Sequence, residues 1–129
     1  MAESKRVIMK HLKDYNVQEL SEKVLDLLAK TSVEIGHKVD AQTLASLSKI
    51  FAKDLITENR FKNLYFKQIE EAFHIGVRFG KDEPFMNIRT FYKWVYSHKK
   101  TIDNAYYEVH TLGSDPKQVP FYEPIKLLN

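Results

Sequence analysis

Ahead of Asp115 the chain holds one proline, Pro84, and four glycines, Gly36, Gly76, Gly80 and Gly113. Strands joined by tight turns need frequent Gly, Pro or Asn-Gly punctuation, so over a hundred residues with so few breakers are restricted largely to helices. The apolar spacing says the same. Val17, Leu20, Val24, Leu27, Leu28, Thr31 and Ile35 recur at helical spacing along one face, and Gly36 is placed to stop that helix. Asp40 is placed as the N-cap of a second long helix through about Glu58, with Leu44, Leu47, Phe51 and Leu55 inside. A polar link, 58–63, leads to a third helix over about 64–79 that ends at Gly80. Asn87 then caps a last helix reaching about Thr111, with Gly113 as its stop.

The last helix divides into two faces. Ile88, Phe91, Trp94, Val95, His98, Ile102, Ala105, Tyr106 and Val109 form the expected core stripe. Arg89, Tyr92, Lys93, Tyr96, Lys100 and Tyr107 form the other side, where basic and aromatic residues interleave. The third helix has an apolar arc covering more than half its circumference, because Ile75 and Phe79 lie opposite Phe66 and Val77. Such a helix is expected to be sandwiched between neighbours, the alternative being an exposed apolar strip for a partner. Residues 1–15 are basic (Lys5, Arg6, Lys10, His11, Lys13) and read as a short helix or arm. In the tail from 114 to 129, prolines at 116, 120 and 124 favour extended segments. That tail still carries Phe121, Tyr122, Ile125, Leu127 and Leu128, so it either packs back or docks to a partner. The expected fold is all-α: four main helices and a short N-terminal one in residues 1–113, followed by the extended tail.

Length and composition narrow the function. The 129 residues, 43% hydrophobic and 12% aromatic, suffice for one core. The absence of cysteine excludes disulfides, thiolate metal sites and cysteine nucleophiles. No apolar run approaches the roughly 18 residues of a membrane span. The N-terminus is too charged for a signal peptide, so a cytoplasmic protein without membrane contact is expected. A net charge of +3 allows nucleic-acid contact without demanding it.

Two Glu-x-x-His pairs, Glu71/His74 and Glu34/His37, have the spacing that carboxylate-bridged dimetal bundles use. Here the geometry argues against a metal. Glu71 and His74 share a polar arc with Lys67, Glu70 and Arg78, and Glu34 and His37 flank Gly36 at a helix end. No Gly-rich phosphate loop and no nucleophile elbow occurs. His98, on the apolar stripe, reads as a satisfied core histidine. No catalytic residue, metal or cofactor is expected, and no small-molecule ligand.

What remains is surface. The face of Arg89, Tyr92, Lys93, Tyr96, Lys100 and Tyr107, with Phe121, Tyr122, Ile125, Leu127 and Leu128 of the tail, is the candidate protein-binding set, since Tyr and Arg favour interfaces. The alternative is nucleic acid held by Lys5, Arg6, Lys10, Lys13, Lys93, Lys99 and Lys100, with rings stacking on bases and cations meeting phosphates.

YFKQIEEAFHIGVRFG (65–80) is similar to the L-T-x-x-E-I-x-x-A-F-x-x-G-x-x-G helix of small phage and prophage replication proteins of the replicative-helicase loader/inhibitor type. Ile69, Ala72, Phe73 and Gly80 match best. FMNIRTFYKWVYSHKK (85–100) resembles the following segment of that family, and LASLSKIFAKDLI (44–56) its preceding helix. The resemblance implies an all-α domain that binds a hexameric replicative helicase at a phage origin, through a C-terminal segment whose counterpart here is FYEPIKLLN. A phage-encoded inhibitor of a host defence or host enzyme would carry the same surface chemistry.

Overall fold

Three of the four helices start where an Asn or Asp side chain accepts from a first-turn amide. Asn16 Oδ1 accepts from Glu19 N (2.8 Å), Asp40 Oδ2 from Thr43 N (3.1 Å) and Asn87 Oδ1 from Thr90 N (2.8 Å). Each bond satisfies a donor that the helix itself leaves unpaired. The computed structural model describes residues 9–112, with side-chain surroundings through Val109. It contains α1 (Val17–Ile35), α2 (Ala41–Thr57), α3 (Phe66–Phe79) and α4 (Ile88–Leu112). Among the described residues the only bridge of strand type is an isolated pairing of His11 with Tyr65. The fold is therefore all-α. α1 ends at Gly36 in the left-handed region, at φ 76°, a conformation that side chains with a Cβ adopt at a cost.

Internal contacts divide the chain at Lys99, into Met1–His98 and Lys99–Asn129. The first unit holds the core. α1 contributes Leu20, Val24 and Leu28, and α2 contributes Phe51, Ala52 and Leu55, all fully buried. Phe51 carries the packing outward to the other helices. Its ring lies 6.0 Å from Phe73 of α3, 5.4 Å from Phe91 and 6.1 Å from Tyr92 of α4. Phe73 completes the cluster against Phe91 (5.2 Å) and, edge-on, Trp94 (5.1 Å). Such tilted and T-shaped pairs add to the burial term because ring edges meet ring faces. Gly76 sits where the indole of Trp94 meets α3, and a Cβ there would fall far inside contact distance of that ring.

Four sequence expectations change. The described part of the N-terminal arm is no regular helix but a single 3₁₀ turn, Leu12–Asp14. Leu12 N donates to Leu64 O (2.8 Å) and Lys13 N to Lys62 O (2.9 Å). These amides are spent on the turn after α2, which an i→i−4 ladder would not allow. The link 58–63 is not purely polar, since Phe61 is fully buried beneath that turn. The core stripe of α4 stops early: Tyr106 is 63% and Val109 70% exposed. α3 is not sandwiched, because Ile75 is 42% and Phe79 74% exposed.

Candidate protein-interaction site

The interleaved face of α4 separates into parts. Tyr92 is half-buried. Its ring packs 5.3 Å from Phe61 as well as against Phe51, and burial, then a hydrogen bond to Asp54, raises its phenol above the usual 10.0. Tyr92 reads from its spacing as part of the outer face, and Phe61, in the α2–α3 link, packs against its ring. Arg89 and Lys93 are exposed, and Tyr96 is 43% exposed with the Arg60 guanidinium 5.5 Å from its ring. Farther along, in the second unit, Lys100 is exposed and Tyr107 is 41% exposed. Phe121, Tyr122, Ile125, Leu127 and Leu128 lie outside the described residues.

The half-buried phenol gives a pH prediction. Its folded-state pKa is raised above the unfolded one. The stability it contributes is therefore full below about pH 10 and is lost as the pH climbs through the folded value. Tyr92→Phe is expected to flatten that alkaline loss in a urea-midpoint series from pH 8 to 11. A slope identical to that of the parent would show that Tyr92 carries none of it.

The cations proposed for nucleic acid are largely committed elsewhere. Lys10 Nζ lies 3.2 Å from Glu19, Lys99 Nζ 2.6 Å from Asp103, and Lys93 is bonded to Asp82. That last contact holds the Asp82 carboxyl below its usual range. Lys13 is exposed, and Lys5 and Arg6 lie outside the described residues. Cations already neutralised release fewer counterions from a phosphate backbone, and counterion release is the main sequence-independent source of such affinity.

The glutamates of the two Glu-x-x-His pairs make contacts between helices. Glu34 of α1 accepts from Arg78 of α3 at 3.0 Å, which lowers its carboxyl, and Glu71 of α3 lies 3.2 Å from His98 Nε2 of α4. No group of three His, Asp or Glu converges among the described residues. A groove of about 470 Å³ runs between α1 and α3. Its walls alternate Lys23, Lys30 and Lys67 with Asp26, Glu34 and Glu70, and its apolar floor, including Phe66 and Phe73, is already buried. Thr31, which also lines the groove, donates its hydroxyl to Leu27 O at 2.8 Å.

Large apolar residues are exposed on all four helices, Val33, Ile50 and Val109 among them, and three lie on α3 and the link after it. Ile75 and Phe79 stand one turn apart on α3, and Phe85, 49% exposed, lies on the α3–α4 link beside the His37 ring at 5.9 Å. The juxtaposition of Gly36–His37 at the end of α1 with Phe85 places these residues toward the end of the bundle where α1 and α3 finish. Two of these three were legible in the sequence, in the position of Ile75 and Phe79 off the core face. Phe85 was not, because a lone aromatic in KDEPFM carries no periodicity. No described helix is long and apolar enough to cross a membrane. Family models, curated proteins and solved structures all fail to match this chain.

Proposed function

We propose that the chain works without catalysis, by docking onto a protein partner. The carrying observation is the exposure of Phe79 (74%) and, one turn before it, Ile75, on a helix whose Phe66, Ile69, Ala72 and Phe73 are buried, with Phe85 exposed on the link that follows. Large aromatics left in water at a bundle end cost solvation free energy that a partner surface would recover, and such residues are the usual anchors of interfaces. Arg89, Lys93 and Tyr96 supply a polar rim farther along. The resemblance to phage helicase loader/inhibitor proteins suggests that the partner belongs to the replication machinery and that the effect is occupancy of a hexameric helicase. Of the residues that carry this resemblance, Ile69, Ala72 and Phe73 are core residues here and Gly80 is exposed at the end of α3. They support a shared helical scaffold and leave the contact residues to this chain's own surface.

The test is size-exclusion co-elution of the purified chain with the replicative helicase of its host. Co-elution is expected, with loss in Phe79→Ser at a melting temperature within the small range typical of surface changes, about 0.5 kcal/mol. A labelled oligonucleotide is expected to stay free at low salt. Failure to co-elute at any salt would sink the replication assignment. Co-elution untouched by Phe79→Ser would move the contact to Arg89, Lys93 and Tyr96.

A further inference from the structure

Charges flank the exposed aromatics unevenly. Lys38 follows the His37 that meets Phe85, Lys81 follows Phe79 by two residues, and Arg89 opens the first turn of α4. All three are exposed, and none is ion-paired among the described residues. The acids nearby are mostly engaged. Glu34 holds Arg78, Asp82 holds Lys93, and Asp40 turns its carboxylate onto Thr43 at the start of α2. Glu83 is the exposed exception. Exposed apolar residues and exposed cations without a salt bridge therefore lie close in sequence along the ends of α1 and α3 and the start of α4, the charge of Lys81 acting on its neighbour Asp82.

We infer that this end of the bundle takes an acidic, apolar-anchored segment of the partner protein, its apolar side chains against Ile75, Phe79 and Phe85 and its carboxylates against Lys38, Lys81 and Arg89. This rests on the protein-docking reading above and names the chemistry of its partner. Phosphate-rich partners would satisfy the cations alone. Two Phe side chains and an Ile in water call for apolar side chains as well, which an amphipathic acidic helix supplies on one face. Complementary charge at the rim mainly steers association and selects against wrong partners, so the discriminating readout is a comparison of two peptides that differ only in the sign of their polar face.

The probes are two fluorescein-labelled amphipathic peptides of about 18 residues, the length of a five-turn helix, with the same Leu/Phe face. One carries Glu on its polar face and the other Lys. With the full chain, fluorescence anisotropy is expected to show the Glu peptide binding about tenfold tighter or more. Phe79→Ser should weaken it by about tenfold, and Lys81→Glu combined with Arg89→Glu should abolish or reverse the preference. Equal binding of the two peptides, lost in Phe79→Ser, would overturn the acidic partner while leaving the docking reading intact. Binding of neither peptide, with helicase co-elution also insensitive to Phe79→Ser, would overturn both. Capture of a labelled single-stranded oligonucleotide in preference to both peptides would overturn the inference in favour of nucleic acid.

Discussion

Gly76→Ala is expected to destabilise the core by about 1–3 kcal/mol, the usual cost of overpacking. At an ordinary exposed helical position the same change would stabilise, because alanine is a better helix former than glycine by nearly 1 kcal/mol. The reversal comes from Trp94. A Cβ on residue 76 would fall on Cγ, Cδ1 and Cδ2 of the indole, the root of the ring and not its movable far end. The ring is held in turn by Phe73 at 5.1 Å and Phe91 at 6.3 Å, so it has no open rotamer nearby. α3 and α4 must then separate, or the indole must leave the cluster. Trp94 is the one tryptophan of the chain, so a red shift of its emission would accompany the loss of the urea midpoint. Gly76→Val adds two more methyls at the same contact and should cost more than alanine. A midpoint at or above that of the parent for Gly76→Ala would mean that the Trp94 contact yields without cost.

Phe51→Ala is expected to be larger still, about 3–5 kcal/mol. The fully buried ring meets Phe73, Phe91 and Tyr92 at once, so its removal opens a cavity at the junction of three helices. Those neighbours are rigid rings that cannot fold into the space, which puts the cost toward the upper part of the range. Since whole-domain stabilities run to about 5–15 kcal/mol, the variant should lie close to its unfolding transition at 37 °C, with weakened near-ultraviolet circular dichroism. Phe51→Leu retains most of the volume and should cost markedly less. Equal losses for the two variants would show that the ring contacts, and not the cavity, set the stability. A loss below about 1 kcal/mol for Phe51→Ala would remove Phe51 from the centre of the fold.

The helix ends were legible because their chemistry is local. Asn16, Asp40 and Asn87 accept from amides three residues on, and Gly36 adopts its positive φ within its own turn. The faces of α1 and α2 were legible for a related reason: their apolar spacing has one period and one neighbouring surface to meet. The candidate site was harder to read. Ile75 and Phe79 were visible as residues off the core face of their helix, but the pattern fits a buried sandwich as well as an open strip. The partial burial of Tyr92 was not legible, because Phe61, in a segment that looks polar, packs on its ring from outside the helix.

By itself the sequence determined that the fold is all-α, where α1, α2 and α3 begin and end and where α4 begins, and that the chain lacks the residue patterns of thiolate, phosphate-loop and nucleophile-elbow chemistry. Those properties rest on backbone hydrogen bonding and side-chain period, which act over a few residues. The tertiary structure decided which apolar residues are covered. It buries Phe61, packs the half-buried Tyr92 against it, joins Glu34 to Arg78 and Glu71 to His98, and leaves Phe79 and Phe85 in water. Burial depends on which surface of another helix arrives at a residue, and helices distant in sequence meet through the shapes of their packed side chains, not through any local signal.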